Sequence, residues 1–118
     1  MKYRYYRFSV AFYVMETDYV KVYKFILEDE KIDLRESMLL CLYLQKYFYH
    51  NGNVITSDTK DSKYIDIDRK YVGKHRKHLE ELGYIKCFVN KGKSVSIQLN
   101  KNIVDKAIEV NKKVNKNK

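Results

Sequence analysis

A run of seven consecutive apolar residues, MLLCLYL at 38–44, is the feature that most constrains how this chain folds. It lies inside a longer stretch, residues 34–50, whose apolar side chains surround nearly the whole helical wheel. A helix that is apolar on every side is buried, so we predict a central helix around which the other elements pack. The D-x-x-E pair of Asp33 and Glu36 predicts a capping box at its start, and the Asn-Gly pair at 51–52 predicts its end.

The segment before this helix predicts β structure. Residues 3–27 are rich in Tyr, Phe and Val, and two sets of side chains alternate along residues 19–26. Polar residues at 16–18 separate two such runs, which favours an N-terminal β-hairpin over residues 1–27. A helix over residues 4–15 is the competing interpretation.

The middle of the chain leaves two interpretations open. Residues 53–56 predict a short strand, whereas the polar segment 57–63 allows a short helix capped by Ser57 or Thr56. Residues 64–67 alternate in polarity and fit either a strand or the end of that helix.

Residues 69–82 predict an amphipathic helix that Asp68 caps and Gly83 ends. On a helical wheel, with His78 at the edge, its apolar face carries Tyr71, Val72, His75, Leu79 and Leu82. The opposite face is basic through the first three turns and carries Arg69, Lys70, Gly73, Lys74 and Lys77. A face of this kind meets phosphates and base edges when a helix enters the major groove of DNA. A glycine in mid-helix allows close approach to a duplex, or else close packing against another helix.

A strand-turn-strand unit and a final helix follow. The runs YIKCFVN and VSIQLN flank a turn with a basic tip, which predicts a β-hairpin. Apolar residues between 103 and 110 predict a helix of two or three turns within residues 101–118, which ends in a frayed tail. A chain of this length buries one core, so we predict one α+β domain over residues 1–118.

The net charge of +9 is concentrated in the C-terminal half. Residues 69–118 carry 14 basic and 4 acidic residues, whereas residues 28–68 carry 5 basic and 9 acidic residues. A basic half on a foldable domain predicts a polyanionic partner. Nucleic acid fits better than a membrane surface, because the basic residues do not form one long amphipathic helix.

The order of the C-terminal elements resembles the winged helix-turn-helix superfamily. The basic-faced helix, the junction LEELGYI at residues 79–85 and the basic hairpin are similar to the recognition helix, junction and wing of that family. The resemblance covers residues 34–100 and implies a three-helix core with a β wing. This chain adds the N-terminal hairpin and the C-terminal helix. It departs from the family at residues 57–63, which contain no aliphatic residue where the family usually places two or three.

The resemblance also implies which residues contact double-stranded DNA. In the helix, the positions that match base- and phosphate-facing residues of the family are Arg69, Lys70, Gly73, Lys74 and Lys77. The wing at residues 91–94 matches through Lys91, Lys93 and Ser94, and would lie on the backbone or in an adjacent minor groove. We add three further candidate phosphate contacts: Lys60, Lys63 and His78.

Small winged helices often bind repeated or palindromic sites, so we expect a homodimer or an array on DNA. The N-terminal hairpin and residues 101–110 are the candidate dimer surfaces. The composition is rich in Lys, Asn, Tyr and Ile, which is typical of an A/T-rich genome, plasmid or phage. Together with this composition, the resemblance implies a cytoplasmic plasmid or phage factor for partition, replication or transfer, or a repressor. The alternatives are a winged helix that binds a protein partner in a nucleoprotein complex, and a single-strand or RNA binder that uses the Tyr-rich hairpin.

The sequence shows no pattern of an enzyme, a cofactor site or a metal site. A Ser/His/Asp order, a phosphate loop and a nucleotide signature are all absent from it. His75 and His78 are spaced i, i+3, but their remaining partners, His50, Cys41 and Cys87, lie at no zinc-like spacing. Both cysteines lie in apolar runs, which fits reduced thiols in the cytoplasm. No stretch approaches the ~18 apolar residues of a membrane span.

Overall fold

The computed structural model describes residues 2–5, 10–14, 19–92 and 94–116, and side chains within 21–92 and 94–113. Within these residues the chain is α+β, with five α-helices and two antiparallel sheets of three strands each. The predicted α+β class is therefore confirmed.

The central helix α2, Leu34–Tyr49, forms where the apolar run predicts it. Every residue from Glu36 to Leu44 is buried, so the other elements surround this helix. Its capping box is reciprocal. The Asp33 carboxylate accepts a hydrogen bond from the Glu36 backbone N–H at 2.8 Å, and the Glu36 carboxylate accepts one from the Asp33 N–H at 3.2 Å.

The N-terminal segment forms three antiparallel strands, where a single hairpin was expected over residues 1–27. In sheet order they are β1 (Lys2–Tyr5), β2 (Val10–Val14) and β3 (Tyr19–Tyr23). The competing helix over residues 4–15 is wrong where this stretch is described, because residues 4–5 belong to β1 and residues 10–14 to β2. The predicted turn at residues 16–18 lies outside the described residues.

The last predicted strand ends early, at Tyr23, and α1 (Lys24–Leu27) follows it as a single helical turn. Tyr23 and Ile26 are each 2% exposed. Two buried side chains three residues apart share a face of a helical turn but lie on opposite faces of a strand. The alternation predicted over residues 19–26 is therefore wrong beyond Tyr23.

The open middle of the chain is a short strand followed by a helix: β4 (Ile55–Ser57) and α3 (Asp58–Ile65). The Ser57 hydroxyl accepts a hydrogen bond from the Lys60 backbone N–H at 3.2 Å, so the serine caps α3. Asp66 then adopts a left-handed conformation with φ of 54°, which ends the helix. Residues 64–67 thus belong to a helix end and not to a strand.

The predicted helix over residues 69–82 forms in two parts. A 3-10 turn, Arg69–Tyr71, precedes α4, Val72–Glu81. The Asp68 carboxylate accepts a backbone N–H of the turn at 3.1 Å and caps it, as predicted. Gly83 has φ of +77°, a conformation that residues with a Cβ rarely adopt, and it ends the helix.

The second sheet contains the predicted hairpin and lies beside α4. Its strands β5 (Ile85–Val89) and β6 (Ser94–Leu99) pair antiparallel, and β4 pairs with the other edge of β6. The resulting order is β4–β6–β5. Ile85, Val95 and Ile97 are buried and turn one face of the sheet toward α2, while Ile55 and Phe88 are exposed.

A buried cluster of polar side chains joins α3 to the core. The Asp61 carboxylate is fully buried and accepts hydrogen bonds from Tyr43 Oη at 2.6 Å and Thr56 Oγ1 at 2.5 Å. Arg76 of α4 donates to the same carboxylate from Nη2 at 2.6 Å and to Tyr43 from Nε at 3.0 Å. Arg76 Nη1 also donates to Asp58 at 2.5 Å. These bonds attach α3 to the core without an aliphatic side chain from residues 57–63.

The protonation of the cluster is set by its burial together with the contacts between its members. Burial raises the pKa of Tyr43, and the charge of Asp61 raises it further, so the phenol keeps the proton that it donates. Burial alone would lower the pKa of Arg76, but contact with Tyr43 and Asp61 outweighs it and the guanidinium pKa rises. The cluster therefore holds an ion pair inside the domain.

The C-terminal helix α5, Lys101–Lys116, is longer than the two or three turns predicted. Val104 and Ala107 are buried against the core, so one side of residues 101–110 covers this domain, and the dimer surface expected there stays a prediction. Within the described residues α5 continues past residue 110 to Lys116, and the predicted fraying of the tail stays a prediction. The Asn111 side-chain oxygen accepts hydrogen bonds from Lys21 Nζ at 2.5 Å and Tyr23 Oη at 3.2 Å, which anchor the helix there.

We expect Asp61→Ala to destabilise the fold by about 3–5 kcal/mol, because it leaves the buried guanidinium of Arg76 without its enclosed partner. The matched control is Asp58→Ala. Asp58 binds the same guanidinium, but its side chain is 50% exposed, so its loss should cost less than about 1 kcal/mol. Urea denaturation of both variants measures the two free energies of unfolding. Equal losses of unfolding free energy in the two variants would show that the buried carboxylate of Asp61 contributes no more to stability than the exposed one of Asp58.

Candidate nucleic-acid interface

Four exposed cations lie on the 3-10 turn and α4: Arg69, Lys70, Lys74 and Lys77. Val72 and Leu79 are fully buried and hold the other side of α4 against the core. Among the described residues, none of the four cations forms an ion pair. This surface, which we call the basic face, therefore carries four cations without an ion-pair partner, although Lys74 and Lys77 share a cleft with carboxylates at the start of α2 and the end of α4.

The acids of α4 are directed away from its first turns. Glu80 and Glu81 occupy the last turn, as the sequence predicts. The Glu80 carboxylate accepts a hydrogen bond from the Cys87 backbone N–H at 3.2 Å, so it is turned toward β5. Glu81 lines a cleft beside the start of α2, together with Lys74 and Lys77. Both acids thus lie in the last turn of α4, and only Glu81 shares a cleft with the exposed cations.

The predicted apolar face of α4 is wrong at two positions. Tyr71 is 49% exposed, with Lys70 Nζ 5.1 Å from its ring centroid. Arg76, which the sequence argument left unassigned, is 5% exposed and lies between Val72 and Leu79 on the buried side. The spacing contained this signal, because positions 72, 76 and 79 fall on one helical stripe. A cation in that stripe implies a buried carboxylate, which Asp61 provides.

Gly73 lies in the middle of the basic face. A Cβ built there has no heavy atom within 4 Å, so the interpretation of close packing against another helix is wrong. The residue lines a groove of 420 Å³ that also involves Arg69, Asp58 of α3 and Val89 of β5. The groove brings the starts of α3 and α4 and the hairpin to one side of the domain.

Val89 is a residue of this surface that the sequence argument missed. It is 82% exposed, at the end of β5 and beside the hairpin turn. Its partner across the hairpin, Val95, is buried and lines the same groove. An apolar residue in a strand predicts burial, so no local signal marked Val89 as a surface residue.

The hairpin turn is closed by Asn90. Its backbone N–H donates to the Ser94 carbonyl at 3.0 Å, and its side chain donates to the Ser94 hydroxyl at 3.2 Å. Lys91 is exposed at the tip, and Gly92 has a left-handed φ of +86° that a tight turn requires. Ser94 is half-buried and begins β6, and Lys93 lies outside the described residues.

Lys60 and Lys63 are both exposed on α3. Lys46, near the end of α2, belongs to the same region. Its burial lowers its pKa, the charge of Asp61 opposes that effect, and the charge of Lys60 lowers the pKa further. Positive charge on α3 therefore extends to the neighbouring end of α2.

His78 lies at the margin of the basic face and points toward α2. Its Nδ1 is 2.8 Å from Glu36 Oε1, and His75 Nδ1 is 2.9 Å from Glu36 Oε2. Burial would raise the pKa of Glu36, but hydrogen bonds from both histidines and the Asp33 N–H keep it below its usual range. The structure thus pairs His78 with a carboxylate, while the other predicted cations of α4 are exposed.

Comparison with known families, curated proteins and solved structures gives no match for this chain. Over the described part of the chain, no helix has the length and apolar character needed to cross a membrane.

We expect Gly73→Ala to stabilise the free protein by about 0.5–1 kcal/mol, because alanine is the better helix former and has room for its methyl group. Gly83→Ala is the control. Gly83 also has no heavy atom near its Cβ position, but its φ is +77°, so alanine there should destabilise by about 1 kcal/mol. Thermal and urea unfolding measure both changes. A loss of stability in Gly73→Ala would reveal a packing contact that contradicts this assignment.

Proposed function

We propose that this protein is a winged helix that binds double-stranded DNA. The element order α2, β4, α3, α4, β5, β6 supports this, since three helices followed by a β-hairpin match the plan that the sequence resemblance implies. In this proposal α4 and its 3-10 turn enter the major groove. The hairpin is the wing and lies on the backbone or in an adjacent minor groove.

The observation that carries the proposal is the basic face itself. Its four unpaired cations lie opposite the buried Val72 and Leu79, so the helix presents them outward while its other side is held by the core. Cations without protein partners gain most from phosphate, because phosphates then replace only water and counterions. Gly73, with open space around it, supports close approach of the helix backbone to a duplex.

Further contacts come from α3 and the wing. Lys60 and Lys63 are exposed on the helix that precedes the basic face, which suits contacts with phosphates beside the groove. Lys91 at the tip supplies a point charge for the backbone, and Val89 supplies an apolar surface next to it. Lys93 and Ser94 remain assigned to the wing by the resemblance.

The direct test is a mobility-shift assay with duplex, single-stranded DNA and RNA probes at two salt concentrations. We expect Lys74→Ala combined with Lys77→Ala to weaken duplex binding at least about tenfold, because two phosphate contacts are lost. The matched control combines Lys101→Ala and Lys112→Ala, which remove the same charge from exposed positions of α5.

Equal weakening in the control would reduce the effect to net charge and contradict the assignment of the basic face. Tighter binding to single strands or RNA would favour the Tyr-rich N-terminal sheet as the binding surface instead. An absence of binding to all three probes would favour a protein-interaction winged helix.

We also propose that the protein binds DNA as a homodimer or array, in partition, replication, transfer or repression on a plasmid or phage. One such helix exposes few side chains to base edges, so a unique site requires repetition. The N-terminal sheet supports this, because β1 is an edge strand of it and an edge strand offers backbone groups for pairing with a second chain. We expect light scattering to show more than one protein per DNA site. A strictly monomeric mass, free and bound, would contradict it.

A further inference from the structure

A cleft of 370 Å³ lies between the start of α2 and α4. Lys74, Lys77 and His78, which are candidate DNA contacts, line part of it, but its other residues have no role in the proposed DNA contacts. Five potential metal ligands line it: Asp33 and Glu36 of the capping box, and His75, His78 and Glu81 of α4. On each element the residues are spaced by three, which places them on one side of a helix. The two sides face each other across the cleft.

The ligand atoms are already close together. One atom each from Asp33, Glu36 and His75 lie within 4.8 Å of one another. His75 Nδ1 is 2.9 Å from Glu36 Oε2 and 3.7 Å from Asp33 Oδ2. Ligands of a tetrahedral zinc ion are about 3.4 Å apart, given bonds of about 2.0–2.2 Å. The two distances from His75 are thus within about 0.5 Å of this spacing, and the third distance is at most 4.8 Å. An ion fits between these atoms after small rotations of the exposed Asp33 side chain.

The burial of the cluster suits an ion that enters from solvent. The Glu36 and His75 side chains are 7% and 16% exposed, whereas Asp33 and His78 are 57% and 41% exposed. The inner ligands are thus held by the core while the outer ones reach solvent. His78 Nδ1, 2.8 Å from the other oxygen of Glu36, is available as a fourth ligand.

We propose that this cluster binds a divalent transition-metal ion of the zinc class, through Asp33, Glu36 and His75, with His78 or water completing the shell. Two imidazoles with carboxylates favour zinc-type ions over magnesium or calcium, which take oxygen ligands. The sequence argument expected no metal because it weighed only His and Cys as partners. The carboxylates are 39 residues or more away along the chain from His75.

Binding would exchange hydrogen bonds for metal bonds. Each histidine that binds the ion would lose its Nδ1–H hydrogen bond to Glu36. Its imidazole would be neutral, with Nδ1 bound to the ion and the remaining proton on Nε2. The carboxylates of Asp33, Glu36 and Glu81 offset the charges of Lys74 and Lys77, which line the same cleft. The ion would tie the start of α2 to α4. This inference does not rest on the DNA proposal, although Lys74, Lys77 and His78 belong to both surfaces.

The test is titration of the untagged protein with Co²⁺, read by visible absorption, and with Zn²⁺, read by calorimetry and the thermal midpoint. We expect saturable binding of one ion per chain and a rising Tm. His75→Gln combined with His78→Gln should weaken binding at least about tenfold. The matched control is His50→Gln, an exposed histidine at the opposite end of α2, which should bind like the original protein.

Wild-type protein that binds neither ion saturably, or a double variant with unchanged affinity, would overturn the proposal. If the double variant fails to fold, NMR of the original protein decides. Zn²⁺ should shift the ring nitrogen signals of two histidines and leave the third, His50, in place. Shifts at His50 alone, or at none, would also overturn it.

Discussion

The fold depends on one buried carboxylate. Asp61 accepts hydrogen bonds from Tyr43 on α2, Thr56 on β4 and Arg76 on α4, so a single side chain joins three elements to α3. The segment 57–63 has no aliphatic residue with which to pack in the usual way. Charge-assisted hydrogen bonds within the buried polar cluster attach α3 to the core instead, and these bonds are directional. They therefore fix the angle of α4 as well as its contact.

That angle decides which charges face outward. Arg76 is turned inward and neutralised, whereas Lys74 and Lys77, its neighbours along α4, remain exposed. A change in the orientation of α4 would exchange them, burying a lysine without a partner and exposing the arginine. The basic face and the buried ion pair are thus two results of the same packing. The exposure of Lys74 and Lys77 depends on the hydrogen bonds that hold Arg76 inside the domain.

Local patterns predicted much of this structure. The capping box at Asp33, the buried helix at 34–49, the glycine stop at Gly83 and the hairpin at 85–99 all follow from residues close together in sequence. The features that were missed depend on distant partners. The inward turn of Arg76 requires Asp61, 15 residues away, and the pairing of His75 with Glu36 spans 39 residues. Sequence periodicity predicts which face of a helix is apolar. It does not predict which polar residue will be buried beside a polar partner from another element.

The contacts of Asn111 have a consequence for the order of folding. Its side chain binds Tyr23 and Lys21, across 88 and 90 residues of intervening chain. Contacts of such separation form late, because the loop that they close is long and its entropy must be overcome first. On the ribosome, β3 would emerge well before its anchor on α5. Until that anchor arrives, the side chains of Lys21 and Tyr23 lack the contact that ties β3 to the C-terminal helix.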